Sequence, residues 1–105
     1  MIRCVLFLFF IGACCLYGPV ASAAADGKSV FIQKCGSCHR AGGEAVVFAP
    51  TKYASTQWER FFQRNKHKRK KDISADFTPA DLEAVKTYLV DHAADSDQPE
   101  AVGLR

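Results

Sequence analysis

The chain holds one methionine in 105 residues, and that is Met1. No later side chain offers a methionine thioether, so a metal centre here must draw on nitrogen, oxygen or cysteine sulfur. Cysteine is scarce where a fold would use it. Cys4, Cys14 and Cys15 fall in the first 23 residues, which leaves only Cys35 and Cys38. A bridge between those two closes so short a loop that it would barely restrain the unfolded chain, which excludes a disulfide-stapled scaffold. No alternating or continuous run of β-formers precedes Cys35, as a thioredoxin-like dithiol would require. A zinc site would need a second ligand pair, and His67 and His92 are not spaced as one. Nothing in the sequence groups a general-base pair or a nucleophile into a catalytic constellation, so the chain does not read as an enzyme.

A long apolar run is also missing. The stretch from Cys4 to Leu16 is apolar but shorter than the ~20 residues a spanning helix needs. It follows a single positive charge at Arg3 and leads through Gly18-Pro19 to Ala21-Ser22-Ala23, a small-x-small cleavage pattern. Residues 1–23 therefore read as a signal peptide and residues 24–105 as one small domain, periplasmic or otherwise exported. Two other readings remain: a retained anchor, or a lipid tether at Cys14 through the lipobox-like Ile11-Gly12-Ala13-Cys14. A domain of about 80 residues buries too little apolar surface to be comfortable without a staple.

What is present is "KCGSCHRAGGEAVVFAP", Lys34 to Pro50. Cys35 and Cys38 stand three apart and His39 follows at once. Two thiols at this spacing add across the two vinyl groups of a haem, and the adjacent imidazole becomes an iron ligand. One turn of helix sets the distance between the two sulfurs and swings the next side chain over the metal. The cofactor read from the motif is one haem c, attached through Cys35 and Cys38, with His39 on the iron.

The sequence around that motif resembles the small monohaem c-type cytochromes over essentially all of residues 24–105. Gly27-x-x-x-Phe31-x-x-x-Cys35 reads as the first helix of that family, and "FTPADLEAVKTYLVDH" as its last. The resemblance implies that Pro50 carries the carbonyl accepting a hydrogen bond from the His39 imidazole. It also implies a methionine opposite His39, which this chain lacks. His67 falls close to where that methionine belongs. The pattern Trp58…His67…Tyr88-Leu89 resembles a subset of bacterial c-type cytochromes whose distal ligand is a histidine. His92 is the rival, and a lysine ligand or an open iron are further alternatives. Trp58 and Tyr53, with Arg40, are candidates for contact with the haem propionates.

The periodicities imply an all-α fold, three main helices around one haem. The first helix spans Lys28 to Cys38, with Val30 and Phe31 inward. Arg40 to Lys52 is a loop, with Val46-Val47-Phe48 too apolar for solvent and expected against the porphyrin edge. Thr56 or Ser55 caps a second helix, with Glu59 closing a capping box on Thr56, and the helix runs to about Asn65 with Trp58, Phe61 and Phe62 on one side. Thr78 caps the third, with Pro79 at its first position and Asp81 in its first turn. Leu82, Val85, Tyr88 and Leu89 form its apolar stripe, expected to cross the first helix near Phe31. The acidic tail from Ala93 to Arg105 is expected to wrap loosely or move.

The basic block Arg64 to Lys71, RNKHKRKK, would flank the distal ligand and steer a redox partner protein, plausibly an acidic one. Nucleic acid is not the expected partner, and a membrane enters only through lipidation at Cys14 or docking to a respiratory complex. The function read from the sequence is single-electron transfer by Fe(III)/Fe(II) cycling at low potential with bis-histidine ligation. The alternative is a gas-binding or redox-sensing haem module with an open or labile sixth position.

Overall fold

A computed structural model describes residues 26–105. The segment read as a signal peptide, with the lipobox-like stretch and Cys14, lies outside the described residues. Three α-helices carry the fold: α1 (Gly27–Gln33), α2 (Ser55–Gln63) and α3 (Pro79–Asp91). Short 3-10 turns fill the connections at Cys35–Ser37, Pro50–Lys52 and Lys66–Arg69. Among the described residues there is no strand, only a lone backbone bridge between His39 and Ala45, and no helix long and apolar enough to cross a membrane.

α1 is shorter than its periodicity implies. It ends at Gln33 and tightens into the 3-10 turn that contains Cys35. Its buried side chains are Val30 and Phe31, and they meet Val85 and Leu89 of α3 in the core. The crossing is close because Gly27 has no side chain: a Cβ there would lie 2.3 Å from the Ala84 carbonyl oxygen and 2.7 Å from Tyr88 Cβ. Phe31 packs against Tyr88 with ring centroids 5.4 Å apart, as the stripe on α3 implies.

α2 starts at Ser55, and neither Thr56 nor Glu59 makes its cap. Gln57 Oε1 accepts the Ala54 N–H at 2.9 Å, while the Ser55 N–H goes to Asp95 Oδ1 at 2.7 Å. Ala54 has no side-chain oxygen to return the favour to the helix, so only half a capping box forms. α3 matches its sequence signals. Thr78 Oγ1 accepts from Asp81 N–H at 3.1 Å and Asp81 Oδ2 accepts from Thr78 N–H at 3.0 Å, with Pro79 at the helix start.

The tail is the main departure from expectation. Ala94 N–H donates to Tyr53 O, Ser55 N–H to Asp95 Oδ1, and Leu104 is buried in the same core as Val30, Phe31 and Trp58. Its acidic composition suggested a solvated end, but an apolar residue near a terminus can anchor the whole segment once a groove exists to receive it.

Candidate haem site

The His39 N–H donates to the Cys35 carbonyl at 2.9 Å, so the attachment motif closes one helical turn. Both cysteines are free and half-buried. Burial pushes the Cys35 thiol up to about 12. A sulfur held protonated in apolar surroundings is a poor metal thiolate and a sluggish redox nucleophile. Once alkylated it is a neutral thioether, whose burial carries no charge penalty. Among the described residues no group of three or more His, Cys, Asp or Glu side chains could hold a bare metal ion. The donor chemistry therefore fits haem attachment better than zinc or dithiol exchange.

The structure brings His39 and His67 together. Their ring centroids are 6.3 Å apart, with the planes at 78°. A metal–imidazole bond is about 2 Å long and the ring centre lies roughly 1 Å beyond the nitrogen, so two imidazoles on opposite sides of one metal have centroids about 6 Å apart. Each ring is held by its other nitrogen. His39 Nδ1 meets the Val46 carbonyl at 2.6 Å, and His67 Nδ1 meets the Lys71 carbonyl at 2.8 Å. A carbonyl only accepts, so both Nδ1 atoms carry a proton, the tautomer that leaves Nε2 as the ligating nitrogen of a neutral ring.

Local structure explains how His67 arrives. Asn65 adopts the left-handed conformation, φ 47° and ψ 46°, and breaks α2 away from its axis. The 3-10 turn Lys66–Arg69 then presents His67, whose carbonyl accepts the Lys70 and Lys71 N–H groups. Phe61 stands edge-on to His67 at 6.4 Å, and Phe48 edge-on to His39 at 4.9 Å. A groove of about 800 Å³ between α2 and α3 borders His67, with Phe61, Phe62, Ile73 and Leu82 in its lining, and it does not reach Cys35, Cys38 or His39. That size lies within the ~300–1,000 Å³ of small-molecule sites.

Two expectations need correction. The Pro50 carbonyl does not meet His39; it accepts the Trp58 indole N–H at 2.7 Å. The loop returns earlier than expected, through Ala45 N–H to Cys38 O at 3.0 Å, which places Val46 and not Pro50 at the imidazole. Trp58 is 3% exposed and its only donor is spent on Pro50, so it serves as the centre of an aromatic wall with Tyr53 and Phe61 and offers nothing to a propionate. Tyr53 packs edge-on to Trp58 at 4.8 Å. Of the apolar triplet, Phe48 packs against the protein core, whereas Val46 (73%) and Val47 lie outside it on the surface, where a porphyrin edge could meet them. His92 lies at the end of α3, tilted against Tyr88 with ring centroids 4.8 Å apart, and with Nδ1 on the Gln98 carbonyl. Arg40 is exposed. The Val46 and Lys71 acceptors were invisible in the sequence, because any residue supplies a carbonyl.

A small helical domain with a C-x-x-C-H turn has the architecture of a covalent haem protein. The model of the family described as cytochrome c matches residues 24–81, more than half of the chain, and the chain belongs to that family. Comparison with curated proteins and with solved structures returned no match. Family membership makes the chain an electron carrier with covalently attached haem c, at cysteines spaced as Cys35 and Cys38 are.

Proposed function

We propose that this cytochrome is an exported, low-potential carrier with His39 and His67 as its two axial ligands. The reading rests on one observation: imidazoles 6.3 Å apart, each with Nδ1 spent on a carbonyl. The haem supplies the single-electron couple Fe(III)/Fe(II). His39 and His67 are the residues that would hold the metal, and their fixed rings would let it change charge with little rearrangement. The Val46 and Lys71 carbonyls draw on the Nδ1 protons and make both rings stronger donors. Methionine ligation raises the potential of this class of centre, so nitrogen in its place leaves the potential lower. Phe48 beside His39, and Phe61 beside His67, would keep water from the haem. The basic run Arg64–Lys71 adjoins His67 and steers an acidic redox partner toward that edge. Residues 1–23 direct export and are removed.

The test is optical and paramagnetic-resonance spectroscopy of the oxidised protein beside His67→Ala. Wild type is expected to be low-spin and to bind no carbon monoxide when reduced. Because the ring planes stand at 78°, the two imidazoles donate into different iron π orbitals, and the low-spin signal is expected to be strongly anisotropic. His67→Ala is expected to turn high-spin and to bind carbon monoxide. A mutant with the wild-type spectrum would refute the distal assignment. Carbon monoxide binding by wild type would favour the gas-binding alternative.

A further inference from the structure

Beyond α3 the chain doubles back over the loop that serves His39. Glu100 N–H donates to His92 O at 3.0 Å, Thr51 N–H to Glu100 O at 3.3 Å, and Leu104 N–H to Phe48 O at 3.1 Å. Gly103 passes so near that a Cβ on it would lie 2.9 Å from the Phe48 carbonyl oxygen. The Leu104 side chain is 8% exposed, and its Cδ2 would touch a Cβ on Gly36 at 3.4 Å, so it abuts the turn between Cys35 and Cys38.

These contacts converge on the proximal side. Phe48 stands against the His39 ring, and Val46, two residues earlier, holds the His39 Nδ1 proton. The other end of the same segment is fastened by Trp58 through the Pro50 carbonyl. Val46 and Val47 lie outside the protein core, so within the polypeptide the acceptor is held from the two ends of its segment. The tail lies beyond residue 81, where the family match ends.

We propose that Glu100–Leu104 is a clamp on the proximal loop, with Leu104 a positioning residue that acts on His39 through Phe48 and Val46. Its effect on the haem rests on the reading of His39 as an axial ligand; the clamp on residues 46–50 does not. A hydrogen bond to a ligating imidazole orients the ring only while its acceptor stays still, and an exposed loop stays still only if something packs against it.

The experiment compares the haem-loaded wild type with Leu104→Ala, Leu104→Met and Gly103→Ala. Hydrogen exchange by mass spectrometry follows peptides over 44–52 and 64–72, and magnetic resonance follows exchange of the His39 Nδ1 proton in the reduced protein. Leu104→Ala and Gly103→Ala are expected to speed exchange over 44–52 and at His39 about 5- to 30-fold, the effect of one or two kcal/mol. The 64–72 amides are expected to keep their wild-type rates, and Leu104→Met to restore the 44–52 segment. A uniform rise over the whole molecule means that Leu104 is core filling only and overturns the proposal, as does a 44–52 segment unchanged in Leu104→Ala. A His39→Ala protein that keeps its low-spin spectrum overturns the ligand reading and the clamp's action on the haem, while leaving the 44–52 result standing.

Discussion

Lys34 sits where three pieces of the chain meet. Its ammonium reaches Asp81 Oδ2 at 2.5 Å and the Asp76 carbonyl at 2.8 Å, and lies 5.5 Å from the centre of the Phe77 ring. It thereby ties the end of α1 to the start of α3, just ahead of Cys35. Lys34 holds the Asp81 carboxyl below its usual range, helped by the Thr78 N–H. A carboxylate whose folded value is depressed stabilises the fold above its unfolded value, about 3.9, and loses that contribution as pH falls through the folded value. Lys34→Met is therefore expected to lower Tm at neutral pH, with the gap to wild type closing below about pH 4. Thermal denaturation across pH 2–7 checks this (the range brackets the ~3.9 reference); a gap independent of pH would mean that Lys34 acts through its apolar stem alone.

At the scale of elements, the segment after α2 is the most specialised. Asn65 in the left-handed region ends the helix and aims the Lys66–Arg69 turn back toward His39. Asn tolerates that conformation and a β-branched residue does not, at a cost of roughly 1–2 kcal/mol. Asn65→Val is expected to destabilise the protein by about that amount and to add high-spin character by loosening His67. Asn65→Gly is expected to leave the spectrum at wild type. Denaturant titration followed at the Soret band and in the far ultraviolet separates the two effects: loss of the ligand should precede loss of helix in Asn65→Val. Coincident transitions in that variant would show that the turn is not an independent unit.

The whole molecule is electrically lopsided. The block Arg64–Lys71 contributes six lysines and arginines beside His67, whereas the tail contributes Asp95, Asp97 and Glu100. Most of the basic block is exposed, although Lys71 is drawn to Glu44 at 3.5 Å and lies 4.0 Å from Cys38 Sγ. Such an asymmetry orients an acidic partner before contact, and salt weakens it over a screening length of ~8 Å at physiological strength. Electron exchange with an acidic redox protein is expected to slow as salt rises. The triple change Lys68→Glu, Arg69→Glu and Lys70→Glu is expected to abolish the salt dependence or reverse it. Stopped-flow rates at several ionic strengths decide; a wild-type rate indifferent to salt would remove the steering role.

The amino-acid sequence by itself determined the chemistry and the helices. Cys35, Cys38 and His39 specify covalent haem because their spacing is local and one helical turn satisfies it. Thr78, Pro79 and Asp81 specify the start of α3 because a cap is made within four residues. The lack of methionine after Met1 removed the usual sixth ligand, and the sequence nominated His67 in its place. Only the tertiary structure decided which carbonyl holds His39, what Trp58 does with its indole N–H, and that the tail is pinned by Leu104. Those outcomes depend on backbone oxygens that every residue possesses, and on contacts such as Leu104 with Phe48 that join segments far apart in the chain. Composition and periodicity carry no record of either.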